Sequence, residues 1–486
     1  MISKSFIKSS FIYTVVGSLP LASSILLLPF YGNSSLLSTS DFGLLAIYII
    51  LSELARILFN FSADNFLGIN FIHYNNDKDT LQRFIGTSAL FILLYGLAMV
   101  LIFSLLGNAV FGLFFPGKSI SFFPFGFLSI VTGFFNGIFK AYTTLLIFRE
   151  KPQPYFWSNL IHFGAVIVIS VSGLYIIPLS LNGPIWGRFI GSLITFIWAI
   201  SYFIKESRFK FDNSILKRLL NYSAPLYIYS ILYWIVSNID RYFILGLMSE
   251  SYVAIFDFAI KMTLIVEFLQ NGLSAAINPK VFKIWKEKGD APIGDVNINK
   301  YFHVFALINI FSVPILFMSI PLLVPIVVNN NDLYQSFTLL PVLFAGMIVR
   351  VWYYYLIAPV FFFKKTRILP VVFSISALFQ IITTYFGIKY FDIYGAVWAN
   401  FFTKVLQVVL LSLFVQKFYH FKANIHKLVL FPLIYILLLL FSEILLSDIN
   451  LYLLNIVHLL IIITLGYYVF RKEIQISQIN KLFKKF

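Results

Sequence analysis

Charged and polar side chains recur at helical spacing inside segments that are otherwise apolar. Glu53, Arg56, Asn60 and Asp64 fall at steps of three and four, and Thr132, Asn136, Lys140 and Thr144 repeat every four, each set on one helix face. Ser230, Tyr233, Ser237 and Asp240 form a third stripe with Arg241 beside it. Asp257 and Lys261 share another, next to Thr263, Glu267, Gln270 and Ser274. Arg350 stands one turn before Tyr353 and Tyr354, and Asn400, Lys404 and Gln407 complete the set. A charge at the centre of a membrane helix costs roughly 2.5–3.5 kcal/mol on insertion scales, so such groups turn toward protein or trapped water.

The chemistry open to these residues is non-covalent. Lys140, Arg350 and Lys404 have no acidic neighbour at helical spacing. They suit the phosphates of a polyanion, Arg as a bidentate fork and Lys as a point charge. Arg56, Arg241 and Lys261 extend this phosphate- and sugar-binding set, although Glu53–Arg56 and Asp257–Lys261 can also pair along their own helices. Asp240 and Arg241 are adjacent and point about 100° apart, so they need partners elsewhere. The carboxylates Glu53, Asp64, Asp240, Asp257 and Glu267 are candidates for binding H⁺ or Na⁺ and coupling a gradient to conformational change. The plainer readings are interhelical hydrogen bonding for the stripes, simple neutralisation for the carboxylates, and snorkelling to the interface for Lys140. Arg188, near the outer end of its span, reads as an interface residue or gate partner, and His162 and His458 as packed or hydrogen-bonded histidines.

The elements that carry these groups follow from composition. Of 486 residues, 60% are hydrophobic and 12% charged, and the mean hydropathy is +0.89. A soluble interior has no room for that much apolar surface. Apolar runs of about 20 residues recur along the chain, the length a helix needs to cross a bilayer. They are solid runs, not the alternation of a β-barrel. The expected fold is an all-α polytopic membrane protein of fourteen spans, the first near 10–30. Of the 36 Lys and Arg residues, 27 fall in the termini and alternate connections, and only Lys118 and Lys389 on the opposite side. The positive-inside rule then places both termini in the cytoplasm. It also explains the net charge of +16 without nucleic acid.

The long connections divide the chain into an N-lobe (1–204, spans 1–6), a cytoplasmic linker (205–224) and a C-lobe (225–416, spans 7–12). A final helix pair (417–470) and a basic tail (471–486) follow. The segments "NSILKRLLNY" and "IQISQINKLFKKF" mix apolar and basic residues, as a helix lying on anionic lipid does, or as a solvated basic face does. Two related six-helix lobes about a cleft are a common transporter plan.

Two stretches carry a resemblance. "SDFGLLAIYIILSELARIL" (40–58), and "NIDRYFILGLMSESYVAIFDFAIKM" (238–262) followed by "AAINPKVFKIW" (275–285), are similar to the polysaccharide-translocase family of bacterial membranes. These are Wzx-type flippases, in the superfamily of the multidrug extruders and the lipid II flippase MurJ. The resemblance implies a multi-pass protein of the bacterial cytoplasmic (inner) membrane. It would flip an undecaprenyl-pyrophosphate-linked oligosaccharide, such as an O-antigen unit, by alternating access through a cationic central cavity. Implied partners are that polyprenyl-linked glycan, membrane lipids and other polysaccharide-assembly proteins, with the chain itself a monomer. One departure stands out: where the family's second lobe has Gly-Ile-Tyr, this chain has "VAIFDF", with Asp257 in the place of a small or hydroxyl residue.

Other classes fit less well. The chain has no cysteine, which removes disulfides, thiol nucleophiles and thiolate metal sites. No cofactor is expected. A multidrug or organic-cation exporter would want surplus carboxylate, yet the intramembrane cations at least match the anions in number. A membrane glycan polymerase or ligase would want a sizeable outward loop with Arg and His, and all the outward loops are short.

Overall fold

The computed structural model describes residues 19–74, 77–287, 296–420, 424–445 and 451–471. Helices dominate, with no β-strand among the described residues. In chain order they are α1 (Leu19–Leu26), α2 (Thr39–Asn60), α3 (Ala63–Tyr74), α4 (Lys78–Phe114), α5 (Phe127–Phe148), α6 (Pro152–Ile176) and α7 (Asn182–Ser207). Then come α8 (Asn213–Leu247), α9 (Glu250–Glu287), α10 (Val296–Val327), α11 (Leu340–Phe362), α12 (Ile368–Val415), α13 (Phe431–Leu445) and α14 (Leu451–Val469). Among the described residues nine helices are long and apolar enough to cross a bilayer, which makes this a polytopic α-helical membrane protein. Helix α9 has the length, but its polar stripe leaves it outside that group. Residues 10–18 of the expected first span, and the basic tail from residue 472 with its amphipathic stretch, lie outside the described residues.

The chain forms two compact units. One comprises Met1–Asp257 with Val328–Asn330; the other comprises Phe258–Val327 with Asn331–Phe486. Helix α8 belongs to the first unit, and its Trp234 indole N–H donates to the Ile50 carbonyl of α2 at 3.2 Å. The stretch "NSILKRLLNY" is the first part of α8. Asp212 starts that helix by accepting from the amides of Ser214 and Ile215. The Ser214 hydroxyl and amide hold the Asp212 carboxyl below the usual carboxylate range.

Within the first unit, glycines bring helices into backbone contact. Gly183, Gly187 and Gly191 repeat every four residues along α7, a spacing that permits close approach in membranes. A Cβ on Gly183 would lie 2.7 Å from the Gly173 carbonyl carbon of α6, and one on Gly187 would lie 2.2 Å from Ser170 Oγ. The pair Gly133 and Gly137 does the same for α5 against α2: a Cβ on Gly133 would lie 2.5 Å from the Ser52 carbonyl oxygen.

The span expected at 41–66 is two helices. Phe61 and Ser62 adopt left-handed backbone, φ 52° and 55°, and end α2. Asn60 explains the break. Its amide nitrogen donates to the Gly137 carbonyl at 3.2 Å, and its side-chain oxygen accepts from the Asp64 amide, starting α3. Asp64 is thereby removed from the face that carries Glu53 and Arg56.

In the second unit, the spans expected at 369–388 and 394–416 are two helices, the two arms of α12, separated by non-helical backbone at Phe391 and Asp392. There too glycines close the fold: a Cβ on Gly395 would lie 2.0 Å from the Gly387 carbonyl.

Candidate functional site

The glycine contact between α2 and α5 decides what the neighbouring stripes face. With Gly133 and Gly137 turned to α2, the adjoining face of α5, Thr132, Asn136 and Lys140, turns to a cavity of about 400 Å³ in the first unit. Helix α2 supplies Tyr48, Ser52, Glu53 and Arg56 to the same wall; α6 supplies Asn159 and His162, and α7 supplies Arg188. Glu53 and Lys140 sit well inside their helices yet are exposed, and the cavity is what they are exposed to.

Three cations and one carboxylate therefore line one void. The charges stand apart: among the described residues no ion pair joins Glu53 to Arg56, contrary to the pairing their spacing allows. The half-buried Asp64 does not line the cavity.

Arg188 was read from its position as an interface residue or gate partner; the structure places it in the cavity wall. Its Nε is buried, and its guanidinium interacts with the buried hydroxyl of Tyr31. The signal for Arg188 was the α7 glycine repeat: residue 188 follows Gly187, so once the glycine face packs on α6, Arg188 points about 100° away from it. His162 is hydrogen-bonded and stacked as expected: its Nδ1 lies 3.2 Å from Thr195 Oγ1 and its ring stacks on Phe139.

The other sequence candidates lie elsewhere. Asp240, Arg241 and Asp257 are buried, at 0%, 5% and 4% exposure, and none lines the cavity. Arg241 Nε donates to Asp257 Oδ1 at 2.8 Å, its Nη1 donates to the Ser237 carbonyl, and its guanidinium lies over the Phe256 ring. Asp257 thus engages a partner on α8. The long Arg fork reaches across the helix pair, and a carboxylate this buried needs such a partner.

In the second unit, Arg350 of α11 has no acidic neighbour at helical spacing on its own helix. It has one from another helix: its Nη1 lies 3.0 Å from Glu267 Oε1 of α9. Tyr354 extends this layer by accepting from Arg350 and donating to Asn271 at 2.6 Å. Lys404 of α12 lies across Gly346 of α11, where a Cβ would stand 3.2 Å from its Nζ. No group of three or more His, Asp or Glu side chains among the described residues is arranged to hold a metal ion.

Comparison with known proteins agrees with this architecture. The lipid II flippase MurJ, in an inward closed conformation, matches with a TM-score of 0.70 over 95% of this chain and 99% of its own, at 17% identity. An inward-facing multidrug resistance MATE family transporter of the MOP superfamily matches with a TM-score of 0.64 over 86% of this chain and 99% of its own, at 11% identity. At such identities the likeness is one of fold. The Lsg locus protein 1 of Haemophilus influenzae is 22% identical over 190 residues, 37% of this chain, and the match spans 46% of that protein's length. Residues 34–331 match the profile of the polysaccharide biosynthesis proteins, and the chain belongs to that family.

Proposed function

We propose that this protein flips a polyprenyl-pyrophosphate-linked oligosaccharide, an O-antigen or similar surface-polysaccharide unit, from the cytoplasmic to the outer leaflet of the bacterial cytoplasmic membrane. The cavity of the first unit takes the anionic head group. Arg56 and Arg188 offer planar forks and Lys140 a point charge. Arg188 Nε is a buried donor for which a phosphate oxygen is a fitting acceptor. Asn136 and Asn159 are suited to sugar hydroxyls. The polyprenyl chain stays in lipid, and the step needs no bond broken and hence no catalytic residue. Family membership supports a glycan cargo, and the MurJ-like fold supports a lipid-linked one.

The observation that carries this reading is the surplus of positive charge in the void: Arg56, Lys140 and Arg188 against Glu53. The same surplus disfavours a multidrug or organic-cation exporter. In the second unit Arg350 is paired with Glu267, and Lys404 lies across Gly346 of α11. We assign Arg350 and Lys404 a secondary part in holding the cargo.

The test is replacement of Arg56, Lys140 and Arg188 by Ala, singly and together, with surface glycan measured in a strain lacking the native gene. Each lost charge-assisted contact is worth about 1.5–3 kcal/mol, so the triple variant should lose nearly all surface glycan at normal protein level. Normal surface glycan in the triple variant would overturn the assignment.

A further inference from the structure

A second cavity in the first unit lies apart from the first. It has a volume of about 680 Å³ and is framed by the end of α3, the start of α4, the turn between α5 and α6, and the end of α7. All of these belong to the connections in which basic residues concentrate. Lys78, Lys151, Lys205 and Arg208 line it and are exposed.

A fifth cation, Arg149, is already engaged. Its Nη1 lies 2.6 Å from Glu206 Oε2, and its guanidinium sits over the Phe71 ring. The other Glu206 oxygen accepts from the Tyr142 hydroxyl at 2.8 Å. Glu206 is therefore spent inside the wall. The remaining carboxylate, Glu150, faces four cations.

The floor is apolar. Phe71 and Ile85 are buried there, and Phe148 leaves 40% of its surface uncovered beside the cations. A cationic rim over an apolar floor, where membrane helices end, fits an amphiphile better than a fully hydrated anion. Anionic head groups at such a level attract Lys and Arg at about 1 kcal/mol each.

We propose that this cavity binds the phosphodiester head group of an anionic phospholipid of the inner leaflet. The phosphate sits among Lys78, Lys151, Lys205 and Arg208, and the glycerol and upper acyl carbons lie against Phe148. The site is independent of the cargo cavity, because no residue lines both.

The test uses the full chain in a neutral detergent, titrated with dioleoyl phosphatidylglycerol, with bound lipid counted by native mass spectrometry. The variant is Lys151→Glu with Arg208→Glu; both residues are exposed, so the fold survives. The control is Lys364→Glu with Lys365→Glu, an exposed basic pair in the second unit. The expected result is saturable phosphatidylglycerol binding by wild type and control, and binding weaker by about tenfold or more in the variant. Phosphatidylcholine should not be retained, and neither inorganic phosphate nor a polyprenyl phosphate should displace phosphatidylglycerol at equal concentration. Unchanged binding by the variant would overturn the proposal, as would equal loss in the control. Equal displacement by inorganic phosphate would make this a soluble-anion site, and equal displacement by polyprenyl phosphate would make it a cargo site; either outcome also overturns it.

Discussion

Asp257 illustrates how one residue changes meaning with its surroundings. In the sequence it is an acidic intrusion into "VAIFDF", one turn from Lys261. In the fold its carboxylate takes the Arg241 fork, and both side chains are only 6% exposed. Removing one member of such a pair leaves a buried charge without compensation and costs about 3–5 kcal/mol. Asp257→Asn should therefore lower the thermal midpoint of the purified protein markedly. Arg241→Met with Asp257→Leu, which removes both charges, should recover much of the loss. A single variant as stable as wild type would show that the pair does not hold α8 to α9. Both residues were legible as intramembrane charges; their mutual pairing was not, because it joins two helices.

At the scale of elements, glycine spacing rather than charge sets the geometry. Gly183, Gly187 and Gly191 press α7 onto α6, and Gly133 and Gly137 press α5 onto α2. The second contact is what brings Lys140 and Arg56 to one void. Gly183→Val must push backbone against backbone at Gly173, an overpacking of about 1–3 kcal/mol or more. Gly112, in α4, has nothing within 4 Å of its would-be Cβ, so Gly112→Ala should be neutral or stabilising by up to about 1 kcal/mol. Thermal unfolding of the two variants side by side checks this, and equal behaviour would count against the glycine contact. The stripes on α5 were readable from their fourfold spacing. The stripe on α2 was readable only as far as Asn60, since a side chain that bonds both Gly137 and the start of α3 leaves no trace in hydropathy.

For the molecule as a whole, the proposed transport raises the question of what would drive it. Of the five carboxylates singled out, Glu53 lines the cavity, whereas Asp64 is half-buried outside its lining, Asp240 and Asp257 are buried away from it and Glu267 is committed to Arg350. Coupling to H⁺ or Na⁺, if carried by a cavity carboxylate, falls to Glu53. Glu53→Gln removes the negative charge among three cations, so affinity for a polyprenyl pyrophosphate should rise or hold. Transport into vesicles should lose its dependence on an imposed gradient. Weaker binding in that variant would instead make Glu53 a direct contact to the sugars. The division of the chain also differs in kind between the two views. Charge and hydropathy mark the long connection 205–224, whereas packing keeps α8 with the first unit and parts the chain at Asp257.

Composition alone was enough to make this a helical membrane protein, because 60% hydrophobic residues cannot be hidden from water by any soluble interior. Spacing alone was enough to mark Arg56 and Lys140, because two groups four residues apart share a helix face whatever the helix packs against. Which cations stay open to a ligand was decided by the tertiary structure. Arg350 found Glu267, Arg241 found Asp257, and Arg188 came to face the void. Pairing between helices depends on their rotation and separation, and those are set by backbone contacts between residues far apart in the chain.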